Sequence, residues 1–311
     1  MQSTVLIFPG QGSQLVGMGQ TLHEAEPVAR DILTQADEIL GFSLSSLCFE
    51  GPAETLTDTI NAQPAILATS YAILQVLRQK SDLGPAFVAG HSLGEFTALV
   101  CAGALSFPDG LRLVRERGRL MKAAGEAQPG GMAAILGMER EVISEVCTTA
   151  QAETGGVVQI ANDNCPGQIV ISGTRAALDR AMAMAKEKRA KRVILLPVSI
   201  ASHSPLMGPA AAAFEPVVAK VAMSRPDVPL IGNTSARPLS YIPSIRAELV
   251  AQLTHCVRWT ESIRYLLAQG MDTFIEIGPN DILTGLMRRI DRKARRFTVQ
   301  DQEGMGIGEQ R

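Results

Sequence analysis

The chain has 311 residues, 46% hydrophobic, 19% charged and 4% aromatic, with a formal net charge of −2. This accommodates one large α/β domain plus an insert around an Ala/Leu/Val core, and it excludes a disordered chain. The near-zero charge argues against a nucleic-acid binder. Five scattered cysteines without a CxxC argue against a disulfide framework or zinc site and favour a reducing cytosol.

Thr4-Val5-Leu6-Ile7-Phe8 is a continuous apolar run, expected for a strand covered on both faces and too short for a signal peptide or membrane span. Pro9-Gly10-Gln11-Gly12-Ser13-Gln14 follows. It lacks the Gly-Lys-Ser/Thr of a phosphate loop, which leaves either a loop bringing backbone N–H groups to a substrate or a plain turn. Glu24 through Leu40 has the pattern of an amphipathic helix. A second helix is expected from Asn61-Ala62-Gln63-Pro64 through Gln79, with the proline near its first turn.

Phe87-Val88-Ala89 is a strand, and Phe96 through Ala102 a helix. Between them lies Gly90-His91-Ser92-Leu93-Gly94-Glu95. Gly-x-Ser-x-Gly at a strand-to-helix turn is the nucleophile-elbow pattern, in which a tight turn exposes the Ser92 hydroxyl at a helix N-terminus. The alternative is a small-residue turn in which Ser92 only caps the helix. A helix from Pro108-Asp109 to about Ala124 carries Arg112, Arg115, Arg117 and Arg119. One of them could clamp a carboxylate, but spacing does not say which.

Gln128-Pro129-Gly130-Gly131 marks a change of texture. Strands at Met132–Leu136, Val157–Ala161, Ile169–Ser172 and Arg192–Pro197 alternate with helices at Glu139–Ala152 and Arg175–Arg189, and Asn162–Gly167 reads as a turn. This βαββαβ order is the ferredoxin-like plan. Val198 through Pro205 is then a loop bearing His203, the best base candidate for Ser92, since a serine nucleophile needs a neighbouring base. His23 lies on a polar helix face and His255 fits packing. No Asp or Glu stands out as a third triad member. Helices over Pro209–Val221, Ile245–Leu253, Trp259–Gln269 and Leu283–Arg292 alternate with strands over Pro229–Asn233 and Thr273–Pro279, and the chain after Thr298 reads as a frayed tail.

Several stretches together resemble one family, the malonyl-CoA:acyl-carrier-protein transacylases of fatty-acid synthesis and the acyltransferase domains of polyketide synthases. They are Phe8 through Gln14, Gln63-Pro64-Ala65, Gly90 through Glu95, Arg117-Gly118, Met132-Ala133-Ala134, Asn162 through Gly173, Ser202 through Met207, Gln252 through Trp259, and Glu276-Ile277-Gly278-Pro279. The resemblance implies an α/β-hydrolase-like domain (residues 1–127 and 198–298) interrupted by a ferredoxin-like subdomain (128–197), with a flexible tail at 299–311. It implies that Ser92 attacks a malonyl thioester and that His203 removes its proton. Backbone N–H groups of Gln11 and Leu93 would form the oxyanion hole. Arg117 would hold the free carboxylate, and the backbone carbonyl of Gln252 would orient His203 in place of an acid. Leu93 and Ser202 would bear on selectivity, and Asn162 and His91 on the pocket. Many malonyl-selective polyketide acyltransferases have Phe where this chain has Ser202, but free-standing fatty-acid enzymes often carry Ser there, so malonyl stays favoured. The smaller side chain could still admit methylmalonyl, because a pocket has only about 1–3 kcal/mol of leverage over one methyl group.

The implied partners are malonyl-CoA and an acyl carrier protein. The resemblance implies no bound cofactor or metal, since coenzyme A enters with the substrate and phosphopantetheine with the carrier. No nucleic acid or membrane partner is expected, and a monomer is the default. Lys186, Lys188, Arg189, Lys191 and Arg192 read first as a solvated helix end; alternatively they and the arginines near the C-terminus would meet an acidic carrier. The alternatives are a free-standing acyltransferase serving a polyketide synthase, a malonate-decarboxylase transferase subunit, a serine thioesterase or esterase, and a non-catalytic scaffold.

Overall fold

A strand apolar at every position needs cover on both faces, and β1 (Thr4–Phe8) lies inside a six-stranded sheet that provides it. Leu6 and Phe8 face one buried cluster and Val5 and Ile7 another, so the two-residue alternation of the strand divides the core in two. The computed structural model describes residues 3–301.

The single helix expected over 24–40 is two. α1 (Gln20–Ala25) stops at an extended Glu26, and Pro27 opens α2 (Pro27–Leu40), where its missing N–H costs nothing. Two short helices escaped the periodic pattern, α3 (Leu44–Glu50) and α4 (Ala53–Thr57). α5 (Thr59–Lys80) begins earlier than expected, because the Asp58 side chain accepts the Ile60 N–H at 3.1 Å. Pro64 therefore sits inside this helix and offers no N–H to the Ile60 carbonyl. The Arg115 guanidinium donates to that carbonyl at 2.9 Å instead. β2 (Phe87–Gly90), α6 (Gly94–Cys101) and α7 (Phe107–Ala127) follow, with α6 buried along its whole length.

β3 (Gly130–Leu136), α8 (Arg140–Thr154), β4 (Val158–Cys165), β5 (Gln168–Thr174), α9 (Arg175–Glu187) and β6 (Arg192–Leu195) form a separate antiparallel sheet in the order β4-β5-β3-β6, with α8 and α9 packed on one face. The turn expected at Asn162–Gly167 is shorter. β4 continues to Cys165, its register shifting between Ile160 and Asn162 and again between Asp163 and Cys165. Asn-Asp-Asn has turn chemistry, but here all three are buried. Asp163 is met by Thr260 Oγ1 at 2.7 Å and Arg140, and Asn164 by His91.

A 3₁₀ turn (Pro205–Met207) leads into α10 (Gly208–Lys220), β7 (Leu230–Ile231), β8 (Pro238–Leu239), α11 (Ile242–Ala251), α12 (Trp259–Ala268), β9 (Thr273–Ile277), α13 (Ile282–Ile290) and β10 (Arg295–Val299). The large sheet runs β10-β9-β1-β2-β7-β8, parallel except for the β7–β8 pair. β10 was not expected, and the frayed tail does not begin at residue 299: Val299 is fully buried, pairs with Ile277, and its carbonyl accepts the Gly278 N–H at 3.2 Å. Residues 302–311 lie outside the described residues. Among the described residues no helix is long and apolar enough to cross a membrane.

The register of β1 against β2 sets the site. Phe8 pairs with Gly90, so the two strands end level and the loops after them meet above the carboxyl edge of the sheet.

Candidate active site

Ser92 stands at the turn between β2 and α6 with φ +51°, a left-handed conformation that side chains enter at a cost of about 1–3 kcal/mol. The two flanking glycines are required by contact. A Cβ on Gly90 would fall 1.9 Å from the Gly94 carbonyl carbon, and one on Gly94 would fall 2.0 Å from the Phe8 carbonyl oxygen. A Cβ on Gly10 would meet the His91 carbonyl at 2.4 Å, so the 9–14 loop must also lie against the elbow. Asn233, just past β7, pins the strained turn: its Oδ1 accepts the Ser92 N–H and its Nδ2 donates to the Gly90 carbonyl, both at 2.7 Å.

His203 Nε2 lies 2.8 Å from Ser92 Oγ. Its Nδ1 lies 2.7 Å from the Gln252 carbonyl oxygen, which can only accept, so the proton of the neutral ring is on Nδ1 and Nε2 keeps a lone pair for Ser92. Burial, reinforced by the Arg117 charge, pushes the His203 pKa down to about 3, so the ring is a free base at neutral pH. His203 is itself left-handed, φ +58°. Gln159 of β4 ties it down, donating from Nε2 to the His203 carbonyl at 2.7 Å and the Thr254 carbonyl at 3.0 Å.

The four arginines of α7 separate by contact. Arg112 and Arg119 pair with Asp109 and Glu116 at the surface, and Arg115 serves the Ile60 carbonyl and Asn61. Arg117 is 2% exposed. Its Nη2 donates to Ser92 Oγ at 3.2 Å and Gln252 Oε1 at 2.7 Å, and its Nη1 donates to Gln63 Oε1 at 2.8 Å. Its Nε is buried and has no hydrogen-bond partner among the described residues. Burial lowers the Arg117 pKa to about 10, which leaves it charged at neutral pH.

The remaining expected residues fall around this centre. Leu93 is buried and precedes α6, whereas Gln11 is exposed on its loop, its Oε1 accepting from Thr59 at 2.9 Å. Ser202 is half-buried beside His203. His91 turns to the small sheet: its Nε2 lies 2.8 Å from Asn164 Oδ1 and its ring meets Trp259 edge-on. Asn162 bridges to Val257, and among the described residues its side chain makes no hydrogen bond to Ser92, His203 or Arg117. His255 is exposed, with Nδ1 2.8 Å from the Ala251 carbonyl, rather than packed. Among the described residues no group of three or more His, Cys, Asp or Glu could hold a metal ion.

The site in this chain is thus a Ser–His pair oriented by a backbone carbonyl, with a buried arginine at the nucleophile. The acyl transferase domain family matches residues 5–301. The malonyl CoA-acyl carrier protein transacylase of Bacillus subtilis (strain 168) is 49% identical over 303 residues, covering 97% of this chain and 95% of the relative. The chain belongs to the acyl transferase domain family. Among solved structures, the malonyl CoA-acyl carrier protein transacylase of Coxiella burnetii superposes with a TM-score of 0.95 at 41% identity, over 98% of this chain and 96% of that one. A malonyl-transacylase solved with a type II polyketide-synthase acyl-carrier protein gives 0.94 at 39% identity, over 97% of both chains.

Sequence reasoning missed Glu95, Asn233, Gln159 and Asn164. Glu95 did carry a signal, an acidic residue opening a helix otherwise apolar from Phe96 to Ala102. The other three act on groups 44 to 143 residues away, and nothing local announces that.

Proposed function

We propose that this acyltransferase moves a malonyl group from malonyl-CoA to the phosphopantetheine thiol of an acyl carrier protein, by ping-pong exchange through an ester on Ser92. Arg117 carries the reading. A buried guanidinium 3.2 Å from Ser92 Oγ offers a planar, charged fork within reach of the free carboxylate of a short diacid whose carbonyl is on Ser92. An acyl group without a second carboxylate has no use for that cation.

In the first half-reaction Ser92 Oγ attacks the thioester carbonyl while His203 Nε2 takes the hydroxyl proton. The C–S bond then breaks and His203 passes that proton to the departing coenzyme A sulfur. In the second, the carrier thiol yields its proton to His203 and attacks the ester, and Ser92 leaves with the proton restored. The oxyanion of each intermediate falls to the N–H groups of Gln11 and Leu93, which donate to no protein acceptor among the described residues. The substrate carboxylate also offsets the Arg117 charge that depresses His203, so the base strengthens when malonyl is bound. Leu93 and Ser202 border the acyl group and bear on malonyl against methylmalonyl.

For the carrier, Lys186, Lys188, Arg189, Lys191 and Arg192 lie exposed from the last turn of α9 to the first residue of β6, and Arg288 and Arg292 are exposed at the end of α13 and just beyond it. Arg289 is exposed but engaged, donating to Gln168 Oε1 at 2.7 Å and to the Pro166 and Gly167 carbonyls. Two-substrate kinetics test the scheme. Parallel double-reciprocal lines, with transfer only to phosphopantetheinylated carrier and slowing with salt, are expected. Intersecting lines contradict the acyl-enzyme, and a salt-independent rate at low carrier concentration contradicts the docking surface.

A further inference from the structure

One buried carboxylate has no part in that scheme. Glu95 opens α6 and is fully buried. Its Oε1 accepts the Asn233 backbone N–H at 3.3 Å and its Oε2 accepts from Gln252 Nε2. Gln252 is bound at every polar atom of its side chain. Oε1 takes the Arg117 Nη2 donor at 2.7 Å and Nε2 also donates to the Ser92 carbonyl at 3.0 Å, while its main-chain oxygen holds His203. A guanidinium only donates, so Gln252 must turn its oxygen to Arg117 and its nitrogen the other way, where an acceptor has to wait. The Ser92 carbonyl and Glu95 Oε2 are the acceptors there, and Glu95 is the one supplied by a side chain.

All three hydrogen-bond acceptors around Arg117, Gln63 Oε1, Gln252 Oε1 and Ser92 Oγ, are neutral. The Glu95 carboxyl lies one amide further out; burial and the neighbouring Glu248 hold its pKa well above the usual carboxylate range, while the Gln252 and Asn233 hydrogen bonds and the Arg117 charge act to lower it. A carboxylate placed directly on the guanidinium would satisfy its charge and compete with the substrate's own carboxylate. Transmitting the acidic partner through an amide stabilises a buried cation without occupying it.

We propose that Glu95 is a positioning residue for diacid selectivity: by fixing the amide orientation of Gln252 it holds Arg117 in place through neutral oxygens and leaves the cation free for the substrate carboxylate. This rests on the malonyl reading above. Glu95→Met keeps the volume and removes both acceptors, so Gln252 Nε2 keeps only the Ser92 carbonyl and the amide is held less firmly against Arg117. Gln252→Glu keeps the main-chain carbonyl and sets a carboxylate directly on Arg117.

The experiment compares acylation of wild type and both variants by malonyl-CoA and acetyl-CoA, alongside sulfonylation of Ser92 by phenylmethylsulfonyl fluoride. The sulfonyl fluoride needs Ser92 and His203 but no carboxylate clamp. The malonyl-to-acetyl ratio of kcat/KM is expected to fall at least tenfold in each variant, with KM for malonyl-CoA rising and sulfonylation falling by a smaller factor. An unchanged ratio overturns the proposal, as does a proportional loss of all three reactions, which marks a merely structural carboxylate. If Glu95→Met does not fold, the ratio in Gln252→Glu decides alone. Failure of wild type to take malonyl at all overturns the underlying reading instead.

Discussion

Replacing Arg117 by alanine removes the buried cation beside the nucleophile and leaves the Gln63 and Gln252 side-chain oxygens without their donor. Two charge-assisted hydrogen bonds to a carboxylate, at about 1.5–3 kcal/mol each, put the loss for malonyl at about 3–6 kcal/mol, or on the order of 10²–10⁴ in kcat/KM. Acetyl has no carboxylate, so its transfer is expected to lose about tenfold or less. The pH profile carries a second signature. After burial, the Arg117 charge is the main cause holding the His203 pKa down at about 3. Removing the charge lets that pKa rise, so the acid limb of acetyl transfer moves to higher pH. Arg117→Lys keeps a charge and loses the planar fork, and is expected to fall between wild type and alanine. Stopped acylation assays with both thioesters from pH 4 to 9 measure all of this. Equal losses for malonyl and acetyl would refute the clamp, and an unmoved acid limb would refute the electrostatic coupling to His203.

Asn233→Ala frees the Ser92 N–H and the Gly90 carbonyl at a turn already strained at φ +51°. It is expected to lower stability by about 2–4 kcal/mol in thermal melts and to cut kcat more than it raises KM. Gly94→Ala drives a Cβ to 2.0 Å from the Phe8 carbonyl and is expected to yield no soluble protein on expression. Glu276, buried on β9 and accepting the Leu283 and Thr284 N–H groups at the start of α13, has its pKa raised to about 7, chiefly by burial. The folded state therefore holds this proton more tightly than the unfolded one. The stability it contributes is full below pH ~4.5 and is lost as pH rises through about 7. Melting temperatures of wild type minus Glu276→Gln should accordingly be larger at pH 5 than at pH 8, by the equivalent of about 1–3 kcal/mol. The opposite trend contradicts the raised pKa.

The elbow was legible because its chemistry is local: Gly90, Ser92 and Gly94 are a contiguous response to one close crossing of backbones. His203 was legible as a loop histidine downstream of it, and the insert from its own βαββαβ order. Arg117 was not separable by spacing from its three neighbours on α7, because the inner face of a helix is defined by what packs on it. Only the family resemblance singled it out. β10 was hidden by charge: an edge strand reading Arg-Arg-Phe-Thr-Val lacks the apolar run that marked β1. Asn162-Asp163-Asn164 was mistaken for a turn because those residues favour turns whenever nothing else satisfies them, and here Thr260, Arg140 and His91 do. Glu95 and Asn233 escaped because their roles exist only after β2, β7 and the loop beyond α11 are brought together.

Transfer by this route requires a covalent intermediate at Ser92. Intact-protein mass after brief exposure to malonyl-CoA, beside a Ser92→Ala control, tests it. A malonyl adduct that is absent from the control and is cleared by phosphopantetheinylated carrier faster than by water is the predicted result. An adduct cleared equally fast by water alone, or one that persists in Ser92→Ala, contradicts it.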